Sequence, residues 1–312
     1  MTPDSKIFVA GHSGLVGSAL VRALRRQGFQ NLLLRDRSEL DLSSYVDVRK
    51  FFAADRPTHV FLAAAKVCGI HANDTPPVEF LEQNLRIQNS VISNAYHHDV
   101  QKMLFFGSCC IYPRLAPQPL KEEYLLTGPL EPTNEAYAVA KIAGIKLCQA
   151  YRKQYGFNAI SAMPTNLYGP GDNFDLSDSH VLPALMRKFH EGKLNGQAEV
   201  VVWGSGTPRR EFMHADDLAD AAIFLMQHYD SGEIINMGVD ADISIVDLAM
   251  MIGRIVGYQG EIVFDRSKPD GVPLRRVDDS RLRGLGWQAR IGLEQGIADT
   301  YRWFLENRIR GI

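Results

Sequence analysis

No uninterrupted apolar run in the sequence approaches the roughly 18 residues that a membrane-spanning helix requires. Met1 to Lys6 leads into a strand-like run rather than a signal-peptide core, so a cytoplasmic protein with no membrane partner is expected. An excess of one charge is missing as well: 34 lysines and arginines face 36 acidic residues, a net charge of −2. That balance provides no basic stripe, and nucleic acid is not expected as a partner. Cysteine is scarce, with 4 among 312 residues. Cys68, Cys109, Cys110 and Cys148 form no CxxC pair and no zinc or disulfide spacing, so reduced thiols are expected. His190, His214 and the pair His97-His98 show no ligand spacing either, and no metal is expected. Long Gly, Ser or Pro tracts, internal repeats and low-complexity segments are lacking, which leaves no free linker. What is present, 46% hydrophobic and 22% charged residues, suffices for a large core and about two domains.

Ile7-Phe8-Val9-Ala10 is a short apolar run that stops at a glycine loop, after which helical character continues from Leu15 to Gly28. The alternation repeats, with strands expected at 31–35, 59–65, 103–107 and 159–163 and helices at 44–54, 77–98 and 135–155. Strands alternating with helices imply a parallel sheet, and near-continuous apolar strands such as Val60 to Ala65 imply one covered on both faces. The fold class expected is therefore α/β, a doubly wound parallel Rossmann sheet. From Tyr168 the texture shifts to Gly-Pro-Gly-Asp-Asn and long polar connectors. Residues 1–167 are expected to form the cofactor-binding domain, and 168–312 mainly a smaller C-terminal α/β substrate domain. Segments near 212–240 are open to returning to the first domain, with a ligand cleft between the two.

Gly11-His12-Ser13-Gly14-Leu15-Val16-Gly17 lies where a strand hands over to a helix, the place for a tight turn and the close approach of a pyrophosphate. The pattern is weak alone; both flanking elements strengthen it. After the second strand stand Arg35, Asp36 and Arg37. An acidic residue there suits the ribose of NAD, whereas arginine accommodates the 2′-phosphate of NADP. Two arginines favour NADP(H), and Asp36 keeps NAD open.

Tyr137-Ala-Val-Ala-Lys141 places a phenol and an ammonium on one helix face. To ionise near neutral pH the phenol must shift by ~3 units from about 10, which corresponds to ~4 kcal/mol. A unit charge at ~4 Å in an effective dielectric of ~20 supplies about that much. Lys141, with a positive nicotinamide, is therefore expected to ready Tyr137 for proton exchange with a carbonyl oxygen. Ser108, at a strand C-terminus where such sheets line their cleft, offers a hydroxyl to the same oxygen.

This trio behind a glycine loop resembles the extended short-chain dehydrogenase/reductases, over about residues 6 to 265. Ala63-Ala64-Ala65-Lys66-Val67, Gly107 to Pro113, Glu131 to Tyr137, Pro164 to Pro170, Trp203 to Thr207 and Arg210-Glu211-Phe212 resemble the branch of that family that forms GDP-L-fucose. The resemblance implies epimerisation at C3 and C5 of GDP-4-keto-6-deoxy-D-mannose, followed by NADPH reduction at C4. A C4 ketone acidifies both neighbouring carbons, so the first step needs a base and an acid beyond Ser108, Tyr137 and Lys141. Cys110 follows Ser108 by two residues, and in an extended segment both point the same way, which makes the thiol a candidate base. The resemblance assigns the acid to His180. It also implies cofactor contacts at Asp41, Leu42, Ala64, Ala65, Pro164 and His180, besides the glycine loop, Tyr137 and Lys141. Asn166, Lys188, Trp203 and Arg210 would hold the nucleotide sugar.

Cys109 is expected to face the other way into the core, with Cys68 and Cys148 also structural. Nothing separates Asn84 as a brace from an ordinary polar residue on a helix face. The resemblance further implies a homodimer, and the 77–98 and 135–155 helices could pair across its axis. Two alternatives stay open: another nucleotide-sugar epimerase or dehydratase, and a non-catalytic NADP-binding sensor. A dehydratase would show Thr-Asp-Glu where this chain has Ser108-Cys109-Cys110.

Overall fold

The computed structural model describes residues 1–67, 77–176, 178–268 and 270–307; Cys68 lies outside the described residues. In chain order the strands are β1 (Ile7–Ala10), β2 (Leu32–Leu33), β3 (His59–Leu62), β4 (Lys102–Phe106), β5 (Ala159–Pro164), β6 (Asn166–Tyr168) and β7 (Glu199–Trp203). There follow β8 (Arg209–Arg210), β9 (Phe212–His214), β10 (Ile235–Met237), β11 (Ile243–Ser244), β12 (Glu261–Asp265) and β13 (Leu274–Arg275).

Six strands form one parallel sheet in the order β2-β1-β3-β4-β5-β10. Every residue of β1, β3, β4, β5 and β10 is buried, because helices cover both faces and leave no polar side for the strands to show. Ile7, Val9, Phe61, Leu104 and Ile160 meet the Leu15–Arg26 and Ala215–His228 helices on one face. Phe8, Val60, Leu62, Met103 and Phe105 pack on the other with residues of the Tyr45–Asp55, Pro77–His97 and Glu135–Tyr155 helices. The expected strand at 31–35 shrinks to two residues at the sheet edge, because only Ile7 and Phe8 offer it a ladder. Beyond it Arg35 turns to Asp55, at 3.3 Å, and to the ring of Phe51.

The chain leaves β1 for β2 on one side and reaches β3 on the other, so the strand order switches between β1 and β3. Crevices at such a point, beyond the strand C-termini, are where ligands bind in open α/β sheets. The helix at 215–228, β10, Leu282 and Trp287 all pack on the six-stranded sheet. The remaining strands form β11-β8-β13, β7-β12 and β6-β9. With the Val181–Leu194, Ile245–Val256 and Leu293–Asn307 helices they enclose a separate core that includes Tyr168, Phe189 and Phe212.

Candidate active site

The switch point opens into a groove of about 700 Å³, lined by Gly11, Ser13 and Gly14 after β1 and by Ala63 to Lys66 after β3. Gly11 has φ 86°, and a Cβ there would come within 2.8 Å of the Ala64 backbone. A Cβ on Gly17 would overlap the Gly11 carbonyl, so these two glycines let helix, loop and β3 close on one another. Gly14 caps the Leu15–Arg26 helix without a side-chain hydrogen bond, and no acidic residue stands in the first turn. The free amides and positive end of that helix fit a pyrophosphate. Asn84 holds the far wall: its Oδ1 accepts from the Lys66 N–H at 2.9 Å and its Nδ2 donates to the Lys66 and Phe80 carbonyls. The structure thus resolves Asn84 as a brace for the loop carrying Ala64 and Ala65.

Arg35, Arg37, Asp41 and Leu42 line the same groove. Asp41 accepts from the Ser43 hydroxyl and N–H, which hold its carboxyl below the usual range. Asp36, the residue that kept NAD open, lies 3.5 Å from the His12 ring in an ion-pair geometry. Arg37, with Arg35 beside it held by Asp55, brings positive charge to this end of the groove, which fits a 2′-phosphorylated ribose better than a free diol. Pro164 ends β5, paired with Met237 of β10.

Beyond the C-terminus of β4, Ser108 organises the reacting groups. The expected extended segment is instead a single 3₁₀ turn, Cys109–Ile111, capped by Ser108, whose Oγ accepts the Cys110 N–H at 3.2 Å. Cys110 therefore reaches the site through this capped turn, because a serine at the cap satisfies its otherwise free amide. The Ser108 hydroxyl also acts on the buried phenol of Tyr137, working against the rise that burial imposes on it. The neighbouring Cys109 thiol and the Arg275 guanidinium, whose Nη1 lies 3.4 Å from the sulfur, hold the Cys110 thiol well below its ordinary range despite burial. Cys109 itself is buried in the core, and its thiol, facing Cys110 and desolvated, is pushed well up. Cys148 is also buried, with its thiol raised to about 12 by desolvation. His180 stands at the N-cap of the Val181–Leu194 helix. Desolvation by the surrounding protein lowers its pKa, and the Cys110 charge works to raise it.

The Lys141 ammonium donates to the Phe106 carbonyl at 2.8 Å and lies over the Phe105 ring, 5.8 Å from the centre of the Tyr137 ring. Burial lowers Lys141 to about 7, while burial and the Cys110 charge raise Tyr137. The physical reason is the dry pocket, which opposes charge on both groups. A phenol kept neutral is a proton donor, which suits reduction of a ketone.

Asn166 donates to the Glu211 carbonyl at 2.8 Å. Arg210 is fixed by the Arg209 and Val272 carbonyls, at 2.7 and 2.6 Å, and pairs in register with Arg275 on the neighbouring strand. Lys188 donates to the Val201 carbonyl, and its ammonium lies 5.4 Å from the centre of the exposed Trp203 ring. Sequence reasoning missed Arg275, whose Nη1 donates to the Cys110 sulfur at 3.4 Å across 165 positions. As one of two adjacent arginines in a polar connector, it carried no local signal. It also missed Glu211, a fully buried carboxyl that accepts the Val239 and Val277 N–H groups and is raised to about 7 by desolvation.

A switch-point groove, a YxxxK helix and a serine at the end of β4 define a dinucleotide-binding protein of the Rossmann class. Residues 7–238 match the NAD dependent epimerase/dehydratase family, and the chain belongs to it. GDP-L-fucose synthase 1 of Arabidopsis thaliana is 57% identical over 304 residues, 97% of this chain and 94% of the relative. The crystal structure of a GDP-6-OMe-4-keto-L-xylo-heptose reductase from C. jejuni superposes with a TM-score of 0.94 at 42% identity, covering 98% of this chain and 99% of that one. A GDP-L-fucose synthetase from Naegleria fowleri bound to NADP gives 0.92 at 32% identity, over 99% and 96% of the two chains.

Proposed function

We infer that the protein epimerises GDP-4-keto-6-deoxy-D-mannose at C3 and C5 and reduces the resulting ketone at C4 to GDP-L-fucose, using NADPH. The observation that carries this reading is the meeting at Ser108 of an ionisable thiol, Cys110, and a neutral phenol, Tyr137. The Cys110 sulfur takes the proton from the carbon beside the ketone. His180 returns one to the opposite face; desolvation lowers its pKa, and the charge on Cys110 opposes that shift in part. Ser108 holds the C4 oxygen, and the Tyr137 O–H delivers the final proton to it. NADPH, when bound between the glycine loop, Arg35, Arg37, Asp41, Leu42, Ala64, Ala65 and Pro164, supplies the hydride, with Tyr137, Lys141 and His180 closing the reacting end. Incubation with GDP-4-keto-6-deoxy-D-mannose and NADPH should give GDP-L-fucose by NMR. Recovery of the unreduced keto sugar without exchange at C3 or C5 would overturn the reading.

In the same proposal, Asn166, Lys188, Trp203 and Arg210 bind the nucleotide. A charge-assisted bond to phosphate contributes about 1.5–3 kcal/mol, so Arg210→Ala should raise KM roughly 10- to 100-fold with little change in kcat. An unaltered KM removes Arg210 from the site. The proposal also includes a homodimer. It is supported by the Pro77–His97 and Glu135–Tyr155 helices, which leave Val78, Val139 and Tyr155 exposed. Light scattering should give twice the chain mass, and a monomer rejects the dimer. Among the described residues no helix is long and apolar enough to cross a membrane. We place the enzyme in the cytoplasm; its recovery in a secreted or membrane fraction on cell fractionation would overturn that.

A further inference from the structure

Cys110 lies in a setting that burial alone would make hostile to a thiolate. Around it stand Ser108, Cys109, Tyr137, His180, Arg210 and Arg275; Glu211 also acts electrostatically on Cys109, and Glu131 on Arg275. Among these groups, the direct contact from a permanently charged side chain to the sulfur is that of Arg275, at 3.4 Å. Burial works against the charge of Arg275, but Cys110, Cys109 and Glu131 outweigh it. Lys141, the other buried cation of the pocket, points to the Phe106 carbonyl.

The position of Arg275 is built rather than incidental. It is the last residue of β13, parallel to β8, with Arg275 opposite Arg210. The Glu211 N–H donates to the Arg275 carbonyl at 3.2 Å, and the Glu211 carboxyl accepts the Val277 N–H at 2.9 Å and the Val239 N–H at 2.7 Å. A Cβ on Gly238 would reach 2.7 Å from the Glu211 carboxyl oxygen, so that approach needs glycine. One buried side chain thus clamps the segment after β13 to the loop after β10, and fixes the base of the arginine.

We propose that Arg275 is a positioning residue for the epimerisation, its guanidinium holding the Cys110 sulfur as a thiolate and aiming it before the sugar arrives. The proposal rests on Cys110 being the base, and the test separates the two. Arg275 neither gives nor takes a proton: the sulfur abstracts the carbon proton and becomes a thiol beside an unchanged guanidinium. Its loss should slow epimerisation through Cys110 and spare reduction, which runs through Ser108 and Tyr137.

The measurement is the rate of Cys110 alkylation by iodoacetamide against pH in the full-length enzyme, assigned by peptide mass spectrometry. Arg275→Met should raise the midpoint by about one unit or more, making alkylation at a pH below the wild-type midpoint roughly tenfold slower, whereas Arg275→Lys should largely restore the wild-type profile. Arg275→Gln, which keeps a hydrogen-bonding amide without the charge, serves the same purpose if the methionine variant does not fold. Solvent-deuterium exchange at C3 and C5 should shift along pH in parallel, with reduction of an already epimerised ketone unchanged. An unmoved alkylation midpoint in the uncharged variant overturns the proposal. A midpoint that moves while the exchange profile stays put supports the arginine–thiolate contact and sinks Cys110 as the base.

Discussion

Cys110→Ser is expected to remove solvent-deuterium exchange at C3 and C5, while an already epimerised 4-keto sugar is still reduced by NADPH. The expected loss is about 10²- to 10⁴-fold, the contribution of a positioned acid or base. Serine keeps the size and the capped turn, since the Ser108 Oγ still accepts the backbone N–H of residue 110. What it removes is a group that ionises near neutral pH: a thiol starts near pKa 8.5, and here Cys109 and Arg275 lower it further. A hydroxyl in the same place stays protonated. Tyr137 should feel a second consequence, because the charge on Cys110 is one cause of its raised pKa. Losing that charge leaves the phenol at least as good an acid, so reduction has no reason to slow. Exchange at the wild-type rate would remove Cys110 from the mechanism. Loss of both activities together would mean that sulfur and phenol do not act in separate steps.

The parts of the fold set by local pattern were legible in the sequence. Buried parallel strands leave continuous apolar runs, as in Val60 to Leu62, and the loop glycines follow from backbone sterics at Gly11 and Gly17. Ser108, Tyr137 and Lys141 could be read because strand ends and helix spacing are local too. The rest depended on contacts across long stretches of chain. Arg275 reaches Cys110 from 165 residues away, and Asn236, fully buried, accepts from the Tyr112 hydroxyl and donates to the Leu120 carbonyl. Neither has a period or spacing that marks it. The 3₁₀ turn at Cys109 escaped for another reason: three residues carry no periodicity, and only the Ser108 cap reveals that the strand has ended. The charge states were the least legible, because desolvation depends on the whole pocket. Spacing places Lys141 near Tyr137 but says nothing of the Phe106 carbonyl that takes its proton donors.

Tyr137→Phe is expected to reverse the serine result: reduction falls by about 10²- to 10⁴-fold, or roughly 3–5 kcal/mol of barrier, while exchange at C3 and C5 continues. Phenylalanine preserves the ring beneath the Lys141 ammonium, 5.8 Å from its centre, and removes only the hydroxyl. The direction of reaction explains why a raised phenol pKa is useful. Hydride arriving at C4 places negative charge on the oxygen, and that oxygen needs a proton at once. A phenol that burial keeps neutral carries one across the whole neutral range, so its own ionisation should not produce a falling alkaline limb in the reduction rate. Lys141, lowered to about 7 by burial, loses its charge as pH rises through that value, so its ammonium is expected to contribute to a decline near there. The keto sugar should therefore accumulate in its epimerised form, visible by NMR as deuterium at C3 and C5 with no product. Wild-type NADPH oxidation by Tyr137→Phe would show that another group protonates the oxygen. While Cys110 is ionised, its charge favours the protonated phenol, so the group that opens the reaction also keeps the proton needed to close it.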